Sequence, residues 1–316
     1  MTDKQDCRDD RDIHLISQQL RSITTANSNL LNRNEPLVVL TDSPTMSKFK
    51  NSPSMNSINE NKKKSYPLED SWLPNDLPGK NLPEKILFVI DTVREEDITP
   101  FEPRAGGKFS PLYMIKRVVE IFVNAKSGIQ SKHEYALMAL KSDSVAWISD
   151  FTNNRKTFAA SLEKIEEDRV PKENDCYDLG PSFEAICHRT DMAENLSYPD
   201  TISRVIFIYT RSRSIPTFLT GRTYLDKLTQ NSHFYLDCLY VHEPLSASND
   251  CQTVYDQLGN LDINQTSYIL EVGRNLAPLH NNMAKLIAHP LQRAKQDDSP
   301  YSVYNMENSQ DGQANG

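Results

Sequence analysis

Hydrophobic and polar positions divide the chain into a long polar lead, a patterned body and a short polar end. Within the body, Ile86-Leu87-Phe88-Val89-Ile90 is a continuous apolar run ending in Asp91, the pattern of a parallel strand buried on both faces. After a loop containing Pro100, Pro103, Gly106 and Gly107, the residues Leu112, Ile115, Val118, Val119 and Phe122 share one helical face. Ser110-Pro111 supplies that helix with an N-cap and a first-turn proline. Residues 135–140 read as a second strand and 145–148 as a short third one at a sheet edge. Helices are expected over 154–167 and 179–189, a buried strand over 204–209, a helix over 220–229 and a strand over 234–241. A helix near 253–258 precedes a last strand at 268–272. Leu276, Leu279, Met283, Leu286 and Ile287 then line one stripe of a closing helix. Strands alternating with helices in this way predict an α/β fold, a doubly wound and mostly parallel sheet with helices on both faces.

The lead differs in texture. Residues 1–80 are dense in Asn, Ser, Asp and Lys and are expected to form a disordered N-terminal tail. Inside it, Ile13, Ile16, Leu20 and Ile23 recur at helical spacing, Lys62-Lys63-Lys64 is a basic run, and Ser43-Pro44 and Ser52-Pro53 suit proline-directed kinases. The domain is expected over 81–289, with 290–316 an extended C-terminal segment and a polar tail. Composition adds three exclusions. No run reaches the roughly 20 apolar residues of a membrane span, and the N-terminus carries no apolar signal segment. Five cysteines without a C-x-x-C pair read as reduced intracellular thiols. A net charge of -8 argues against general nucleic-acid binding.

Catalytic and cofactor signals fail on inspection. No G-x-G-x-x-G or G-x-S-x-G occurs, and the phosphate-loop likeness at Gly107-Lys108 has Phe109 and Glu102 at two required positions. Cys187 and His188 are consecutive on a helix and point about 100° apart, which prevents a thiolate pair. The seven histidines form no H-E-x-x-H. No cofactor is expected. Asp91 with Glu95, Glu96 and Asp97 makes an acidic cluster after the first strand, of the oxygen-rich kind that hard cations favour.

The order of elements, with Asp91 ending the first strand and Thr210 following the fourth, resembles a von Willebrand A domain. That family's metal motif is D-x-S-x-S. Here it reads Asp91-Thr92-Val93-Arg94-Glu95, with Val93 and Glu95 in place of serines and Arg211 where a metal-ligating Asp is expected. The resemblance therefore implies a degenerate metal site at Asp91, Val93, Glu95 and Arg211, and a fixed cation there repels another by several kcal/mol at an effective dielectric of about 20. More narrowly, Leu82-Pro83-Glu84-Lys85-Ile86, Lys132-His133-Glu134-Tyr135, Asp143-Ser144-Val145-Ala146-Trp147 and the stretch from Leu279 to Arg293 resemble the A-domain scaffold subunits shared by the BRISC deubiquitinase and the breast-cancer-susceptibility A complex.

This resemblance implies a non-catalytic adaptor that binds a UEV-domain subunit. Through that subunit it would join a JAMM zinc deubiquitinase, which cuts K63-linked ubiquitin, and its pseudo-enzyme scaffold, in cytoplasm and nucleus. It directs attention to His289, Pro290, Leu291, Gln292 and Arg293 as the docking segment. Pro290 disfavours helix at His289, so the segment is expected to leave the domain extended, with Arg293 aimed at partner carboxylates or carbonyls. A second reading stays open, a stand-alone A domain that binds a divalent metal and a protein ligand through Asp91, Glu95, Glu96 and Asp97.

Overall fold

A computed structural model describes residues 81–104, 106–169, 175–194, 200–296 and 298. The expected N-terminal tail, with its Ile13–Ile23 pattern, Lys62–Lys64 run and Ser-Pro pairs, and the last residues of the C-terminal tail lie outside them. In chain order the elements are β1 (Glu84–Asp91), β2 (Val93–Arg94), α1 (Pro111–Ile129), β3 (Glu134–Leu140), β4 (Val145–Thr152), α2 (Arg155–Glu163), β5 (Asp168–Arg169) and β6 (Cys176–Asp178). They continue with α3 (Gly180–Arg189), β7 (Ile202–Tyr209), β8 (Ile215–Thr217), α4 (Arg222–Thr229), β9 (Phe234–Val241), α5 (Cys251–Gly259), β10 (Ile269–Val272) and α6 (Leu276–Lys285).

The main sheet has six strands in the order β10-β9-β7-β1-β3-β4. Every pairing is parallel except β3 with β4. The doubly wound, mostly parallel architecture is therefore present, with β1 at its centre. Leu87 of β1 sits opposite Ala136 of β3 and Val205 of β7, which sets the register of the sheet's middle.

Period-two alternation along β1 sends its side chains into two cores. Ile86, Phe88 and Ile90 pack with Ile115, Val119 and Phe122 of α1, Phe158 of α2 and Leu279 of α6. Leu87 and Val89 face the other way, toward Phe183 of α3, Leu225 of α4 and Val254 of α5. Both faces of β1 are covered, which is why its sequence reads as an unbroken apolar run. The Ser110 hydroxyl caps α1 by accepting from the Tyr113 N–H at 3.3 Å, with Pro111 in the first turn.

Some boundaries differ from expectation. β4 runs on to Thr152 because an antiparallel edge strand tolerates polar residues, and Asp150, its one exposed residue, turns to solvent. α2 ends at Glu163, four residues early. The two-stranded pairs β2-β5 and β6-β8 were not anticipated, since pairings of two or three residues leave no periodic trace in sequence. The chain also stays on the domain beyond residue 289: the Gln296 side chain exchanges hydrogen bonds of 2.7 and 3.0 Å with the backbone of Ile269 on edge strand β10.

Phe88 is wholly buried, its ring 5.4 Å from that of Phe122 and 5.8 Å from that of Phe158. Phe88→Ala is expected to lower unfolding free energy by about 3–5 kcal/mol, the range for emptying a large aromatic site in a core. Urea denaturation with an unchanged m-value checks this, and a midpoint equal to wild type would contradict the packing described.

Candidate functional site

The sheet places candidate residues at two opposite poles. At the carboxyl end of β1, Asp91 is buried and accepts at Oδ1 from the Val93 N–H (3.2 Å) and at Oδ2 from the Thr210 N–H (3.1 Å). The Arg211 guanidinium lies on the same carboxylate, its Nε 3.2 Å from both oxygens and its Nη2 3.2 Å from Oδ1. Glu95 points to a different target, accepting from the backbone N–H groups of Ser212 and Arg213 at 2.8–2.9 Å. Val93 is buried and offers no side-chain donor. Glu96 and Asp97 are exposed.

These residues do not fit a divalent ion. The carboxylate that would bind one is occupied by a guanidinium and N–H groups, the second position is a valine, and Glu95 is turned to the backbone. Among the described residues no group of three or more His, Cys, Asp or Glu side chains is placed to hold a metal. The four-acid cation site of the second reading is corrected accordingly, because its two buried members are spent on protein donors.

The opposite pole collects charges that sequence reasoning had not joined. Glu84 begins β1, Arg204 lies on β7 and Asp237 on β9, and all three side chains are fully buried. Arg204 bridges the two acids, its Nη1 donating to Glu84 Oε2 at 3.0 Å and its Nε to Asp237 Oδ2 at 2.8 Å. Lys126, at the end of α1, forms an ion pair with Glu84 and donates to the Ile287 carbonyl at 2.8 Å. Arg293 completes the network, with Nη1 donating to Asp237 Oδ2 at 2.9 Å, Nη2 to the Thr266 carbonyl at 2.9 Å, and its guanidinium 4.1 Å from the Tyr268 ring centroid.

The segment His289–Arg293 therefore departs from expectation. It does not leave extended: the N–H groups of Gln292 and Arg293 both donate to the His289 carbonyl, at 2.9 and 3.1 Å, closing a turn. Arg293 is committed inside the chain, its side chain only 3% exposed. A buried Asp237 needs more counter-charge than Arg204 alone supplies, and the turn brings it. His289 and Pro290 are buried, Leu291 is half-buried and Gln292 is exposed, donating to the Asn81 side chain at 3.0 Å.

Electrostatics in this network follow from burial and partner. Burial raises the Glu84 carboxyl, but Arg204 and Lys126 outweigh it and hold its pKa below the ordinary value. Asp237 is likewise held low against its burial by Arg204 and Arg293. His133 accepts from the Glu84 N–H at Nδ1 (2.8 Å), and burial drives its pKa down to about 4. His289 accepts from the Leu291 N–H at Nδ1 (3.2 Å) while Nε2 lies 3.0 Å from the Leu82 carbonyl, and burial lowers it too, against the pull of Glu84. Neutral rings suit the site, where three cations already face two carboxylates.

Comparison with known proteins gives a consistent relationship. No family model matches the chain. The BRISC and BRCA1-A complex member 1 of Homo sapiens is 30% identical over 235 residues, covering 72% of this chain and 70% of that protein. Its Xenopus laevis counterpart is 30% identical over 234 residues, covering 72% and 69%. Among solved structures, the VWA domain of SpRpn10 is 14% identical with a TM-score of 0.40, covering 64% of this chain and 95% of that one. A von Willebrand factor type A protein from Catenulispora acidiphila is 12% identical with a TM-score of 0.41, covering 66% and 43%.

Two outcomes follow. Arg293→Ala strips Asp237 of one cation and is expected to cost about 3–5 kcal/mol, as breaking a buried ion pair does, whereas the same change at exposed Lys295 leaves the melting curve unchanged. For pH, histidines with depressed folded pKa values bind protons more readily when unfolded, so their contribution is full above about pH 6.5 and is lost as pH falls below it, down to about 4 for His133. Melting temperature against pH should show that slope in wild type and a shallower one in His133→Gln/His289→Gln. Equal slopes would refute the assignment.

Proposed function

The chain belongs to the BRISC and BRCA1-A complex member 1 family, and from that premise we propose that it is a non-catalytic scaffold subunit of a K63-linked-ubiquitin-specific deubiquitinase complex. In this reading it binds a UEV-domain subunit and, through it, a JAMM zinc deubiquitinase and its pseudo-enzyme scaffold, which supply the chemistry. The family relationship over 72% of the chain is the observation that carries the proposal. Support for a structural role comes from the pole at Asp91, where the strand ends at which open α/β sheets gather ligands are occupied by the chain's own Arg211. No helix among the described residues is long and apolar enough to cross a membrane, and cytoplasm and nucleus are the proposed compartments.

Docking is assigned to the turn His289–Arg293. Arg293, His289 and Pro290 shape it from within, and Leu291 and Gln292 form its outward side. This changes the experiment. Removing 290–316 would also remove Arg293 from Asp237 and damage the domain itself, so loss of binding by a truncated chain would be uninformative. Outward substitutions are the better probe.

The full chain purified from its native cells should bring down a UEV-domain protein and a JAMM protease in equal amounts, identified by mass spectrometry. Leu291→Lys/Gln292→Glu should reduce that recovery at least about tenfold, a loss of some 1.4 kcal/mol, while its thermal melt stays near wild type. Undiminished recovery by a folded double variant would move docking to another surface, and absence of both partners from the wild-type eluate would overturn the scaffold reading.

A further inference from the structure

The pole at Asp91 gathers the carboxyl ends of β1, β3 and β7. One side chain there touches three strand ends. Arg211, just past β7, donates to Asp91 at the end of β1 and, through Nη2, to the Lys141 carbonyl just past β3 at 2.7 Å. Its guanidinium also stacks 3.8 Å from the ring centroid of Tyr177 in β6. The next two backbone N–H groups, of Ser212 and Arg213, fix Glu95 and with it the loop that follows β2. Asp91 is 1% exposed and Arg211 4%, so neither charge is shared with water.

We propose that Arg211 is a resident cation: a covalently attached positive charge that ties the β1, β3, β6 and β7 ends together and holds this pole in one conformation with no bound ion. The physical case rests on Asp91. A buried carboxylate persists as a charge only beside a partner of opposite sign. A guanidinium serves better than an ammonium here, because its planar fork reaches a carboxylate and a carbonyl at once while its face lies on an aromatic ring. Burial disfavours the Arg211 charge, but the Asp91 carboxylate more than offsets this and raises its pKa, so the guanidinium stays charged. A free divalent ion would meet occupied oxygens and a fixed positive charge within a few ångströms.

Thermal melts of the full chain test the proposal, with EDTA, with millimolar magnesium, manganese or calcium, and with methylguanidinium as the added probes. Wild type should be indifferent to all of them. Arg211→Ala should melt on the order of 10 °C lower, with part of the loss restored by methylguanidinium, and Arg211→Lys should fall between the two. Asp91→Asn/Arg211→Met, which removes both charges, should recover most of the loss. Three results would overturn the proposal: stabilisation of wild type by a divalent ion, an Arg211→Ala chain that melts with wild type, or a double variant no more stable than Arg211→Ala. If Arg211→Ala does not fold, Arg211→Lys and the double variant decide between charge and shape.

Discussion

Asp237 lies within a strand buried along its whole length, and its carboxylate can stay ionised there only because two arginines reach it from distant parts of the chain. Arg204 comes from the neighbouring strand β7 and also holds Glu84 on β1, so a single guanidinium spans the middle of the sheet at its starting end. Arg293 comes from the far side of α6. Removing any member leaves a buried charge without its counterpart, at a cost of several kcal/mol, although an apolar core of the same shape would be about as stable. What the network adds is specificity of placement. It ties the first strand, the end of α1 and the C-terminal turn to one arrangement, and the parallel register of β1 with β7 brings Glu84 and Arg204 close enough to pair.

The two poles solve one problem in the same way. In a sheet covered on both faces the strand ends are where polar groups collect, and they remain satisfied only if the chain supplies partners. At the starting ends three cations meet two carboxylates, and the surplus positive charge is tolerated beside His133 and His289 because both rings are neutral. At the carboxyl ends Asp91 meets Arg211, while Glu95 is neutralised by backbone N–H groups.

How much of this was legible depends on whether a signal was local. The core strands and the two-sided burial of β1 follow from period-two runs, and α1 from its 3.6-residue stripe and the Ser110-Pro111 cap, because each depends on residues within one element. The closeness of Arg211 to Asp91 was legible too, since each stands at the carboxyl end of a strand in one sheet. The ion network was not, although one clue was in view: Asp237 interrupts Phe234–Val241, and a charge inside a buried run demands a cation. Nothing in the spacing says that Arg293, rather than a surface arginine, provides it. Reading Pro290 alone gave an extended segment. Proline disfavours helix at His289 but leaves open the turn that Asp237 draws in.

Arg293 also alters what a docking segment can be in this chain. A peptide that bound through a free arginine would be separable from its domain, and its affinity could be assigned to the segment alone. Here that arginine is part of the domain's interior, and the neighbouring Gln292 and His289 reach Asn81 and Leu82 where the described chain begins. The two ends of the described chain are therefore fastened to one another at the starting ends of β1 and β7. Any partner that seats on the turn meets a surface whose shape is set by the buried charges beneath it. Were a partner to seat there, as proposed, its binding would be coupled to folding through Asp237, and its affinity would depend on preorganisation of the turn more than on an exposed charge.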